Sequence, residues 1–255
     1  MDYLVSASTD IGIKKNTNQD SLAIKVAETS IGKVTFALVC DGMGGLQHGE
    51  IASANLILAF SNWFDNDLPR LIERGLDNDK VSQEWDWIIQ RENKRILLYG
   101  KQIGIRLGTT IAAALFTDSR YYILNVGDSR VYEIKESVTQ LTQDQTVVEN
   151  EFRQGRLTRE QADRDPRRNI LLQCVGAIQN VYPEMIYGET KKDAVYMLCS
   201  DGFRHVISND EIYQYLNPEV LISKEIMKQY GDYLIELNKS RMEEDNITVS
   251  LIRTF

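Results

Sequence analysis

Five aspartates, Asp20, Asp41, Asp128, Asp201 and Asp245, stand where a short apolar run meets a polar turn. "VTFALVCDGMGG" carries Asp41 at the end of one such run, and "MLCSDGF" carries Asp201 at the end of another. "TNQDSLAIKV" and "EEDNITVSLI" place Asp20 and Asp245 just before strand-like stretches, and "VGDSR" puts Asp128 in a turn between two. A single Asp-Gly pair is ordinarily a turn. Five acids at strand ends are a different matter, because chain ends gathered at one sheet edge would crowd carboxylates that repel unless protons or cations intervene. Hard oxygen donors of this kind select Mg²⁺, Mn²⁺ or Ca²⁺ over zinc. Glycine after Asp41 lets a carbonyl or a phosphate approach closely.

The elements that must position these acids are of two kinds. Runs rich in branched and aromatic residues predict strands at about 3–8, 21–28, 33–40, 108–117, 120–126, 130–135, 194–200 and 247–254. Helical spacing of Ala52, Leu56, Ala59, Phe60 and Trp63, and of Trp85, Ile88, Ile89, Ile96 and Ile103, predicts amphipathic helices over about 50–64 and 82–104. Tight turns between strands imply antiparallel pairing. Helices inserted as a block imply an α+β protein, and two stacked sheets flanked by helices fit the pattern.

Composition narrows the partners. The 255 residues include 43% hydrophobic and 26% charged, with four scattered prolines and no low-complexity tract, so one domain over 1–255 is expected. A net charge of −8 argues against nucleic acid and anionic lipid. The N-terminus lacks the pattern of a signal peptide and no segment is apolar enough to span a bilayer, so a cytoplasmic chain without membrane attachment is expected. Cys40, Cys174 and Cys199 lie in apolar surroundings without metal-type spacing and read as buried thiols.

The succession "DIGIKKNTNQDS", "CDGMGGLQHGEIAS", "LGTT", "VGDSRVY", "LTQDQT", "MLCSDGF" and "DNIT" resembles the metal-dependent PPM or PP2C family of Ser/Thr protein phosphatases in its short bacterial form, from about residue 3 to 254. The resemblance implies a PP2C-like α-β-β-α sandwich of two antiparallel sheets, with a flap segment at about 145–190. It implies that Asp41 bridges two Mn²⁺ or Mg²⁺ ions with the Gly42 carbonyl as a further ligand, that Asp20 acts mainly through metal-bound water or as a ligand, and that Asp201 and Asp245 are the remaining acids of the dinuclear site. Asp128, with Asp201, matches a third-metal position. Asp41, Asp201 and Lys15 would carry catalysis, the last as the cation that binds substrate phosphate. Hydrolysis of phosphoserine or phosphothreonine by a metal-activated water follows. Phosphorylated proteins would be the substrates, a Ser/Thr kinase or its targets among them, and the enzyme would act as a monomer.

Several positions depart from the pattern. Lys15 stands where arginine is usual, a point charge without the two-point fork. Leu46, Gln145 and Asp165 occupy places where relatives often carry histidine, and His48 and His205 read as surface or loop residues. Arg153, Arg156, Arg159, Arg164, Arg167 and Arg168 of the flap are interleaved with acids, which predicts a solvated face with local ion pairs. Two alternatives stand beside the phosphatase: a catalytically weak PPM-like module that binds a partner, and a metal-dependent phosphatase of small phosphoesters.

Overall fold

A computed structural model describes residues 1–43 and 48–255. Gly44, Gly45, Leu46 and Gln47, which include part of the glycine turn after Asp41, lie outside the described residues.

Antiparallel pairing builds two five-stranded sheets. β1 (Tyr3–Asp10), β10 (Ile247–Thr254), β9 (Val195–Cys199), β6 (Arg130–Ile134) and β7 (Val138–Gln140) form one, in that spatial order. β2 (Ser21–Thr29), β3 (Gly32–Cys40), β4 (Ile111–Phe116), β5 (Arg120–Val126) and β8 (Glu184–Glu189) form the other.

Alternation of side chains decides what each face meets. In β3, Val34, Phe36, Leu38 and Cys40 point to an outer cluster, while Ala37 and Val39 point between the sheets. The uninterrupted apolar run is therefore a strand buried on both faces. Between the sheets, Ala37, Ala112 and Ala114 leave room for large rings, and Phe116 and Tyr196 meet at 4.5 Å. Outside the β2-β3-β4-β5-β8 sheet, α1 (Gly49–Asn66) and α3 (Asn78–Ile103) bring Phe60, Trp63 and Trp85 onto Phe36. Outside the other sheet, α7 (Asn209–Leu216) and α8 (Lys224–Ser240) bury Leu216, Leu234 and Ile235 with Val249 and Leu251. Four layers result, as the sequence predicts.

Differences from the sequence expectations are local. Helices do not form a single inserted block, because α7 and α8 lie between β9 and β10 and two shorter helices between β7 and β8. The expected strand at 108–117 begins at Ile111, since Thr109 instead bridges Gly42 and Val175. Within the expected flap, α4 (Val147–Arg153) and α5 (Arg159–Arg164) are followed by β8, which belongs to a sheet and pairs with β5. Short α2 (Leu68–Glu73) and α6 (Asp201–Arg204) complete the chain. All three cysteines are free and buried.

Candidate active site

Strand register gathers the acids. Ser21 pairs with Cys40, which brings Asp20 beside Asp41; Cys199 pairs with Val249 and with Arg130, which brings Asp201 to the approaches of Asp245 and Asp128. Ends of strands from both sheets thus share one edge of the sandwich.

Backbone and hydroxyl contacts hold each acid there. The Asp41 carbonyl accepts from Thr109 Oγ1 and from the Thr110 amide, both at 2.9 Å, and its amide donates to Thr110 Oγ1 at 3.0 Å. "LGTT" is the clamp on Asp41. Ser200 Oγ donates to Asp20 Oδ2 at 2.8 Å while accepting from the Thr248 amide at 3.0 Å, which ties the two sheets at the site. Asn246, 2% exposed, donates to the carbonyls of Ile11 (2.9 Å) and Thr17 (3.2 Å) and accepts from the Gln19 amide (2.9 Å). One amide side chain therefore pins the loop that carries Lys15 to the start of β10. Gly42 donates to the Gln19 carbonyl at 3.1 Å, and a Cβ there would lie 2.5 Å from that oxygen. Its missing side chain makes room for a backbone carbonyl of the protein itself, one of the two close approaches expected there.

Crowding sets the electrostatics. Burial first, and then the charges of its neighbours, push Asp20 up to about 7 and Asp41 well above the carboxylate range; burial and Asp201 push Asp128 up to about 7. Asp201 moves the other way. Burial opposes its charge, yet the hydrogen bond and charge of His205, with Arg204, hold it well below the usual range. His205 Nε2 lies 3.3 Å from Asp201 Oδ2 and Nδ1 3.2 Å from Glu243 Oε2; burial disfavours its charge, but these two acids raise it to about 9. This places His205 beside the site acids, where loop packing or a solvent-facing position is expected from the sequence. His48 is an exposed residue at the start of α1, beside Glu50 at 3.3 Å.

Lys15 Nζ lies 2.9 Å from Asp245 Oδ1 and faces the charges of Asp41 and Asp201. Burial lowers its basicity, and these acids more than restore it. It lines an open groove of about 700 Å³ with Asn16, Arg168, Asn169, His205 and Asp245. In the flap, Arg159 pairs with Glu149, Arg164 with Glu160, and Arg167 with Glu151 and Asp165, the ion-paired face expected.

The donor set suits a hard cation. Asp20 Oδ1 and Asp201 Oδ1 are buried without a hydrogen-bond partner, an arrangement that is costly unless something positive meets them. Among the described residues no three acid, histidine or cysteine side chains stand close enough together to hold an ion as they are.

The profile of the protein phosphatase 2C family matches residues 13–240. The chain belongs to the protein phosphatase 2C family. This phosphatase is 31% identical over 250 residues to serine/threonine phosphatase stp of Listeria innocua, covering 96% of this chain and 93% of the relative. Its fold is similar to the structure of the S. agalactiae serine/threonine phosphatase, with a TM-score of 0.84, 28% identity, and coverage of 99% of this chain and 100% of the other. It is also similar to the catalytic domain of the phosphatase PstP in complex with two manganese ions, with a TM-score of 0.78, 27% identity, and coverage of 98% and 97%.

Proposed function

We propose that this phosphatase hydrolyses phosphoserine and phosphothreonine in protein substrates, a Ser/Thr kinase or its targets among them. It would do so with two divalent cations, Mn²⁺ or Mg²⁺, held by Asp20, Asp41, the Gly42 carbonyl, Asp201 and Asp245. The observation that supports this most is the crowded edge of acids, two of which, Asp20 and Asp201, are buried with an unpartnered oxygen each. Bound cations supply Lewis acidity and neutralise phosphoryl charge.

The chain's own residues do the rest. Thr109 and Thr110 fix the backbone of Asp41, and Ser200 orients the Asp20 carboxylate through Oδ2, leaving Oδ1 without a hydrogen-bond partner. His205 keeps Asp201 ionised. Lys15, tethered to Asp245 at the mouth of the groove, presents an ammonium to the phosphoryl oxygens. Both ring nitrogens of His205 are engaged by acids, so it is not free to protonate a leaving serine oxygen. Among the described residues no helix is long and apolar enough to cross a membrane, and the substrate meets an open groove.

The test is release of phosphate from a phosphothreonine peptide and from a small aryl phosphate, with Mn²⁺, Mg²⁺ or EDTA. Peptide turnover that needs metal and falls by orders of magnitude in Asp41→Asn is expected. Undiminished turnover in EDTA overturns the proposal, and activity confined to the small ester overturns its protein substrate.

A further inference from the structure

Asp128 differs from the other site acids in what faces it. It lies in the turn between β5 and β6, 5% exposed, and Arg204 Nη2 stands 3.6 Å from its Oδ2 while donating to its backbone carbonyl at 3.1 Å. The same nitrogen reaches Asp144 Oδ2 at 3.4 Å. Asp144 is itself fixed: Arg130 grips it with Nε and Nη2, both at 2.7 Å, and Gln140 donates at 3.1 Å. Arg204, whose side chain is 14% exposed, is thus held between two carboxylates at the base of α6, one of them anchored to the opposite strand.

We infer that Arg204 is a permanent internal cation that takes the place of a metal ion at Asp128, so that Asp128 is the partner of this guanidinium and not a metal ligand. The inference rests on the metal-site reading above and assigns that site the remaining acids. Arginine does not lose its proton inside proteins, so a divalent ion at Asp128 would face a fixed positive charge across the same carboxylate. Moving Arg204 aside would leave a buried guanidinium with Asp144 alone, an acid already gripped by Arg130. Lys15 is different. It is more exposed, at 28%, and its flexible stem can leave Asp245 when an anion arrives. Sequence comparison of the "GDSR" turn alone points to a third ion, because the neutralising residue comes from 76 positions further along the chain.

Direct counting of bound metal decides this. The full chain, stripped with EDTA, is dialysed against Mn²⁺, and bound Mn²⁺ per chain is measured by elemental analysis and by the free-ion paramagnetic signal. Asp128→Asn is expected to hold as many ions as the parent with unchanged affinities. Arg204→Ala is expected to hold one further ion, which the added Asp128→Asn removes. Loss of an ion in Asp128→Asn overturns the inference, as does an Arg204→Ala chain that gains none. Should Arg204→Ala fail to fold, Asp128→Asn decides alone. Asp41→Asn separates the two readings: parent-like ion content in that variant overturns the metal site itself, whatever Asp128 does.

Discussion

Asn246 should be the most consequential uncharged residue at the site. Replacement by alanine removes three hydrogen bonds, to the carbonyls of Ile11 and Thr17 and from the amide of Gln19. Water can reach the two carbonyls of the exposed loop, so each loss should cost about 1 kcal/mol, while the partly buried Gln19 amide should cost nearer ~2 kcal/mol. The total, about 3–4 kcal/mol, corresponds to a fall in melting temperature of roughly 6–15 °C for a chain of this size. Aspartate is the sharper probe, because it preserves shape and the acceptor for Gln19 yet turns a negative oxygen on two carbonyls and adds charge to an edge already crowded with acids. Melting followed by circular dichroism in EDTA isolates this from metal binding, and steady-state kinetics with Mn²⁺ should show a raised KM as the Lys15 loop loosens. A melting point for Asn246→Ala within experimental error of the parent, or an Asn246→Asp chain that outlasts Asn246→Ala at pH 7, would refute the reasoning.

Other substitutions test neighbouring contacts. Lys15→Ala should raise KM for a phosphopeptide about tenfold or more, the worth of a charged hydrogen bond, and Lys15→Arg should lower it several-fold; parent-like KM in both removes Lys15 from phosphate binding. Gly202→Ala would put a Cβ 2.2 Å from the Asn246 carbonyl, so α6 must shift and take Asp201 with it; about 1–3 kcal/mol of stability and most activity should go, and a fully active variant would contradict this packing. Asp144 has a pKa below its ordinary 3.8: burial alone would raise it, but Arg130, Arg204 and Gln140 outweigh that. A depressed acid contributes stability above its unfolded pKa and loses it as pH falls through the folded value. Asp144→Asn should therefore melt well below the parent at pH 7, with the gap closing below about pH 4, and a gap unchanged by acid would count against the Arg130 clamp.

Much of this architecture is legible in sequence because it is local. Alternating burial in β3 and the strand-end aspartates need only a dozen neighbouring residues to be read. A helix over Lys224–Ser240 is announced as plainly, by the Ser223 cap and by Met227, Leu234 and Ile235 on one face, although the strand pattern at both ends of the chain draws attention from it. β8 is a half-buried edge strand with a weak pattern, so nothing in Glu184–Glu189 separates it from the flap before it. The cations at the site are harder. His205 gains its role from Glu243, 38 residues away, and Arg204 from Asp144, 60 residues back. A solitary histidine or arginine after "SDGF" carries no periodicity, and only the folded register shows which acids each one meets.

The place of β10 has a consequence for the time at which activity can first appear. It follows every other strand in the chain, yet it lies inside its sheet, between β1 and β9, and Asp245 and Asn246 lead into it. Of the strands β1 is made first, and it has no β-partner until β10 has been made; until then Asp20 and Asp41 also lack Asp245. Such late, long-range closure slows folding. A chain made only as far as β9 therefore lacks Asp245 and the strand that joins β1 to its sheet, and so holds no complete active site.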